Sequence, residues 1–183
     1  MLYTIKNILG IGFTNIEYLK EGNDRQRKAY FELTNLLIFE NLLEYKPILT
    51  GTIPIGIDLP KSDLDIICQC SSHLNFANTL TSLYSNQEKY QIRTSNLNGT
   101  QSTIATFESG AFQIEIFGQD CPTKNQYAYR HMIKEYEILN SRDEVFRAEI
   151  IRLKEQGLKT EPAFARALGL SGNPYEELLR LKL

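Results

Sequence analysis

The spacing of apolar positions along the chain changes twice, and each change marks a boundary between kinds of structure. Residues 15–19 read as a short helical turn closed by Gly22. From Asp24, a helix cap, to about residue 43, the apolar residues Ala29, Leu33, Leu36, Leu37, Phe39 and Leu43 recur at helical intervals. That periodicity predicts one long helix, which Pro47 stops. The period then shortens. Ile48-Leu49 reads as a brief strand ending at Gly51, and a loop with Pro54, Gly56 and Pro60 leads to a second strand over 64–68. Ser72 caps a helix to about residue 84. Strand-like runs follow at 90–96, 102–108 and 111–117, with hairpin signals at Asn98-Gly99 and Ser109-Gly110. From Pro122 onward the spacing is helical again: about 124–139, 142–156, a short helix after Thr160 that Gly169 stops, and a last one. Asn173, Pro174 and Glu176 open that last helix as cap, first-turn proline and box glutamate.

This pattern predicts an α/β (α+β) core over residues 1–120, a mixed sheet flanked by helices and including the N-terminal helix. A helical C-terminal segment, 121–183, should pack on it. The 183 residues suffice for that much buried structure, and no repeat or flexible linker interrupts them. A hydrophobic fraction of 42% with 23% charged residues is ordinary for a globular chain, so no unusual class needs invoking. The net charge of -2 argues against a broad nucleic-acid-binding face, and no extended nucleic acid is expected as partner. The apolar run 5–13 is short and broken by Asn7, Gly10 and Gly12, so neither a membrane span nor a secretory signal is expected. Cys68, Cys70 and Cys121 are too few for a disulfide scaffold and read as reduced core or near-core thiols of a cytoplasmic protein.

The chemistry concentrates in one stretch. Gly51-Thr52 is followed by ten residues, 53–62, and then by Asp63-Leu64-Asp65-Ile66-Ile67. Residues two apart on a strand project to one face, so Asp63 and Asp65 aim two carboxylates at one point while Leu64 and Ile66 enter the core. Two like charges so placed call for a shared cation, and Mg²⁺ (or Mn²⁺) takes one or two carboxylates together with substrate phosphates. Gly51 permits a tight turn whose amides and Thr52 hydroxyl can face a phosphate. Glu115, a lone charge in the apolar run 112–117, is the candidate third ligand or base; an edge-strand glutamate facing solvent would look the same.

Gly-Thr, ten residues and Asp-Leu-Asp resemble the signature of the DNA polymerase beta-like nucleotidyltransferase superfamily. The longer text Gly51-Thr-Ile-Pro-Ile-Gly-Ile-Asp58, Ser62-Asp-Leu-Asp65, Gln126-Tyr-Ala-Tyr-Arg-His-Met132 and Lys159-Thr-Glu-Pro-Ala-Phe-Ala165 is similar to one bacterial branch, catalogued as a domain of unknown function. The resemblance implies a nucleotidyltransferase-type mixed sheet, metal ligation by Asp63 and Asp65, and triphosphate contact at Gly51-Thr52. Two departures stand out. Thr52 takes the place of the usual Ser or Gly, and Pro54 and Gly56 interrupt the helix that usually follows the phosphate turn.

Around this centre, Ser62, Arg93 and Arg130 are candidate nucleotide contacts, each set against an ordinary surface role. Lys61, His131 and Asp58 are weaker candidates, with Asp58 read first as a turn residue before Pro60. The basic residues Arg25, Arg27 and Lys28 sit at a helix start, where the dipole does not favour cations, and so hint at a ligand. The stripe Ile150, Leu153, Leu178, Leu179, Leu181 reads as packing, with a homodimer as the alternative. The expected activity is Mg-dependent transfer of an NMP from an NTP to a small-molecule or protein acceptor. The rival readings are a non-catalytic nucleotide-binding or antitoxin-like module, and a nucleotide phosphohydrolase.

Overall fold

In the computed structural model, which describes residues 12–97 and 99–183, the strand runs assemble into one mixed sheet. Its strands are β1 (Ile48–Thr50), β2 (Leu64–Gln69), β3 (Glu88–Leu97), β4 (Thr100–Ser109) and β5 (Phe112–Gln119). Their order across the sheet is β1-β2-β5-β4-β3. Only β2 and β5 run parallel; every other neighbouring pair is antiparallel. A parallel pair needs a long crossover. The helix α3 (His73–Tyr84) and the β3–β4 hairpin supply it. Ser72 caps α3 as expected, its hydroxyl accepting from the Asn75 amide at 3.3 Å.

The pleat gives the sheet two different faces. Leu64, Ile66 and Cys68 of β2, with Ile114 and Ile116 of β5, are buried in a core shared with Phe76, Leu80 and Tyr84 of α3. The alternate positions carry Asp65 and Glu115, which are register partners, and Thr50 of β1 lies beside Asp65. A second core gathers α4 (Tyr127–Asn140), α5 (Glu144–Glu155), α6 (Thr160–Leu168) and α7 (Pro174–Arg180). It is built from Met132, Ile138, Ile150, Leu153, Phe164 and Leu178, and also takes in Phe13, Ile55 and Ile57. Ile150, Leu153 and Leu178 are therefore packing residues. Cys68, Cys70 and Cys121 are free thiols, the first two buried. No helix among the described residues is long and apolar enough to cross a membrane.

Several local expectations need correction. The continuous helix over 24–43 is three pieces: α1 (Asp24–Asn35), α2 (Ile38–Asn41) and a 3₁₀ turn at Leu43–Tyr45. The break is at Leu37, whose backbone is left-handed with φ 52. It lets Ile38 and Leu42 become fully buried and leaves Leu37 and Leu43 outside, a rotation that periodicity alone does not register. Asp24 is the first helical residue, not the cap. Asn23 caps α1 in a reciprocal box with Gln26. At α7, Asn173 caps and Pro174 starts the helix, but Glu176 pairs with Arg180 instead of closing a box. Gly169 ends α6 in the left-handed conformation, as anticipated. Residues 5–11 of the N-terminal apolar run and Asn98 of the hairpin signal lie outside the described residues.

Because Ile57 is fully buried in the second core, Ile57→Ala should cost about 2–5 kcal/mol, while Leu43→Ala, at a 73% exposed position, should stay within about 0.5 kcal/mol. Urea unfolding of the two variants checks this; equal costs would mean that the loop is not part of the core.

Candidate functional site

A cleft of about 700 Å³ opens on the polar face of the sheet. Its floor is the row that strand pairing sets side by side: Thr50, Asp65 and Glu115, on β1, β2 and β5. Asp63, two residues before Asp65, lines the same cleft, as do Gly51, Thr52 and Ser62. Glu115 is on an internal strand, which removes the edge-strand alternative. Another depression, about 630 Å³, contains none of the candidate site residues.

Gly51 is fitted to Asp65 more tightly than a turn alone requires. Its φ is +82, and a Cβ added there would overlap Asp65 Oδ2. No side chain fits there without displacing the carboxylate. Beyond the turn, the chain is fastened at almost every residue. The Ile57 amide donates to Thr52 O at 3.2 Å, and the Leu59 amide donates to Ser62 Oγ at 2.9 Å. Gln26 Nε2 donates to Ile53 O at 2.9 Å and to Pro54 O at 3.2 Å. Arg147 Nη1 donates to Ile55 O at 2.8 Å, and Lys154 Nζ to Ile57 O at 2.5 Å. Arg25 Nη2 donates to Ser62 O at 2.7 Å while its Nε lies 3.2 Å from Asp58 Oδ2. The departure from helix after the phosphate turn is thus a closely tied loop.

The helical wall of the cleft carries His131 and Glu135 of α4, Lys154 of α5, Lys159 and Glu161 at the start of α6, and Tyr175 of α7. It joins the segments 126–132 and 159–165, far apart in sequence. His131 stacks on Tyr127 and meets Tyr175 edge-on, with centroid distances of 6.1 and 6.0 Å.

Burial and crowding set the charge states. Burial first, then the carboxylates of Asp63 and Glu115, push Asp65 up to about 7. Glu115 is also raised, by burial and Asp63, with Arg93 opposing. Burial and Glu161 push Glu135 up to about 8 against the pull of Lys154. Burial lowers His131, against the pull of Glu161. Lys154 is lowered by its own burial, against Glu135, Asp58 and Glu161.

Asp63, Asp65, Glu115, Gly51, Thr52 and Ser62 all line the cleft, but the oxygens of the three carboxylates do not all come within 4.8 Å of one another. Arg93 stands at the edge of this group, exposed, with Nη2 4.0 Å from Glu115 Oε2. Arg130 does not line the cleft; it is exposed, 5.5 Å from the centroid of the Tyr127 ring, and its neighbour His131 points inward instead. Lys61 is exposed. Arg25 and Arg27, read as a hint of ligand, are committed to the protein: Arg25 to the loop, Arg27 to Gly22 O and Asp24. Sequence reasoning missed Glu135, Lys154, Lys159, Glu161 and Tyr175. The i,i+4 pair His131/Glu135 was the one signal for them, since that spacing puts both on one helix face.

Residues 32–181 match the family model described as Domain of unknown function (DUF4269). No curated protein matches the chain significantly in sequence. Among solved structures, the chain is similar to the GLD-2/RNP-8 complex, with a TM-score of 0.52 and 14% identity over 84% of this chain and 63% of that one. The Cid1 poly(U) polymerase with Mg 3'-dATP bound gives 0.51 and 14%, over 89% and 52%. A cytoplasmic RNA terminal U-transferase gives 0.50 and 14%, over 76% and 43%. The chain therefore spans about half the length of these structures, and at such identity the likeness shows the fold: a five-stranded mixed sheet flanked by helices, of the nucleotidyltransferase type.

A carboxyl raised on folding is protonated more readily in the folded than in the unfolded chain. Its contribution is therefore present at low pH and is lost as pH rises from the ordinary carboxylate range through about 7. In chelator, Asp65→Asn should raise the thermal midpoint, and by more at pH 8 than at pH 5. Each kcal/mol gained corresponds to about 2–4 °C in a chain of this size. Calorimetric unfolding at the two pH values is the check; an equal or opposite effect would remove the repulsion inferred at this cluster.

Proposed function

The chain belongs to the DUF4269 family, and from that footing we propose that it is a metal-dependent nucleotidyltransferase, moving an NMP from an NTP to a small-molecule or protein acceptor. One observation carries the reading. Asp65 and Glu115 are register partners on adjacent parallel strands, with Asp63 beside them, next to a turn that only glycine can make. The fold shared with proteins described as a poly(U) polymerase and a terminal U-transferase supports it.

The residues fit a divalent cation of the Mg²⁺ or Mn²⁺ type. Three carboxylates line one cleft, and the most buried is pushed up to about 7 by its burial and then by the other two. Asp63 and Asp65 would hold the ion and Glu115 would complete the set. Bound there, it would neutralise the charge that builds up on the α-phosphate during in-line attack. The protein's own part is positioning. Thr52 and Ser62, whose hydroxyls lie 3.4 Å apart, line the cleft beside the Gly51 turn and would contact the β- and γ-phosphates. Alternatively, Glu115 would act as the base that takes the proton from the acceptor hydroxyl. Lys159 and Arg93 supply charge at the margins, and Arg130 has no role in this reading. A cleft of about 700 Å³ is in the range for a nucleotide with a small acceptor group.

The purified chain, with each labelled NTP and Mg²⁺ or Mn²⁺ in the presence of a metabolite extract, should release pyrophosphate and transfer label. The Asp63→Asn/Asp65→Asn variant should be slower by about a hundredfold to a thousandfold, the several kcal/mol expected of the metal. Binding of metal–NTP without turnover would favour the interaction-module reading, and free NMP as product the phosphohydrolase. A wild type that neither binds metal–NTP nor differs from the variant would end the proposal.

A further inference from the structure

The helical wall of the cleft holds a second constellation that nucleotidyl transfer does not use. We propose that His131, Glu135 and Glu161 form a binding site for a divalent transition metal of the zinc class. One ligand atom from each residue lies within 4.8 Å of the other two. His131 and Glu135 are one turn apart on α4, and Glu161 comes from the first turn of α6. Three ligands from two helices suffice for such an ion, and all three line the cleft.

Two observations separate this group from an ordinary acidic surface cluster. His131 is 5% exposed and its Nδ1 is buried with no hydrogen-bond partner among the described residues. Glu135, 4% exposed, lies four residues on along the same helix face. Burying polar groups without partners is costly, and a shared ligand is what removes the cost. The cation whose charge acts on Glu135 is Lys154, and its ammonium donates to the Ile57 carbonyl at 2.5 Å.

The donor set selects the class of ion. One imidazole nitrogen with two carboxylate oxygens suits zinc and its neighbours, whereas Mg²⁺ and Ca²⁺ favour oxygen alone. The imidazole is already oriented by Tyr127 and Tyr175, so little ordering is left for binding to do. No residue is shared with the Asp63, Asp65, Glu115 cluster, and the two sites can be tested apart.

Co²⁺ serves as the probe, since its visible absorption reports nitrogen and oxygen ligation. Titrating the Asp63→Asn/Asp65→Asn variant without nucleotide confines the readout to this site, with wild type alongside. The expected result is one equivalent of Co²⁺ with visible absorption, displaced by Zn²⁺. Adding Glu161→Gln or His131→Asn should weaken binding by more than about tenfold. Glu161 is only partly buried at a helix start, so its variant keeps the test valid if His131→Asn does not fold by circular dichroism. A silent titration, or binding that Glu161→Gln leaves unchanged, overturns the proposal. Failure of nucleotidyl transfer would leave the Co²⁺ result untouched, so the two ideas fail separately.

Discussion

Ile53, Ile55 and Ile57 are all buried, yet they do not share a core: Ile53 packs with the sheet and α3, Ile55 and Ile57 with the C-terminal helices. The loop between the Gly-Thr turn and the aspartate pair is therefore pinned to both halves of the molecule. Each isoleucine contributes about 1.5–3 kcal/mol by leaving water. The carbonyls between them are satisfied by Gln26, Arg147 and Lys154, which removes a penalty of about 1–3 kcal/mol for each one left bare. So fastened, the loop sets how the turn approaches Asp65, and with it the shape of the cleft.

This arrangement explains why some features were legible in the sequence and others were not. The shared face of Asp65 and Glu115 could be read because a strand's period of two and a lone charge in an apolar run are written into neighbouring residues, whereas Asp63 lies just before β2. The caps at Ser72 and Asn173 and the stop at Gly169 are local in the same way. What escaped was set by distant partners. Leu37 adopts a left-handed backbone because Ile38 and Leu42 gain burial by it, and no residue near it announces that. Arg25 looked like a cation awaiting a ligand because its partners, Asp58 and the Ser62 carbonyl, are more than thirty residues away. Glu135 and Glu161 meet only because α7 packs against both α4 and α6, so their pairing had no signature in the chain.

The prolines and glycine of the loop show the same limit. Read locally, Pro54 and Gly56 break a helix and put the phosphate turn in doubt. In three dimensions the loop is held in place by another route. Side-chain donors from α1 and α5 replace the hydrogen bonds that a helix would have made internally. A change of local structure need not be a change of function when tertiary contacts restore the constraint.

Lys154 links the two sides of the cleft. Its ammonium donates to Ile57 O in the loop, and its charge acts on Glu135 and on Asp58. It is itself 8% exposed and destabilised as a cation by burial, so it depends on the acids around it as much as they depend on it. Five carboxylates line the cleft, Asp63, Asp65, Glu115, Glu135 and Glu161, against Lys154 and Lys159. A bare triphosphate would meet net repulsion there, whatever its base. An anionic ligand can enter this cleft favourably only with cations of its own or with cations already seated on the acids. For the proposed reaction, the excess of acid thus calls for metal and nucleotide to arrive together, with charge on the helical wall bearing on how tightly the sheet side would hold them.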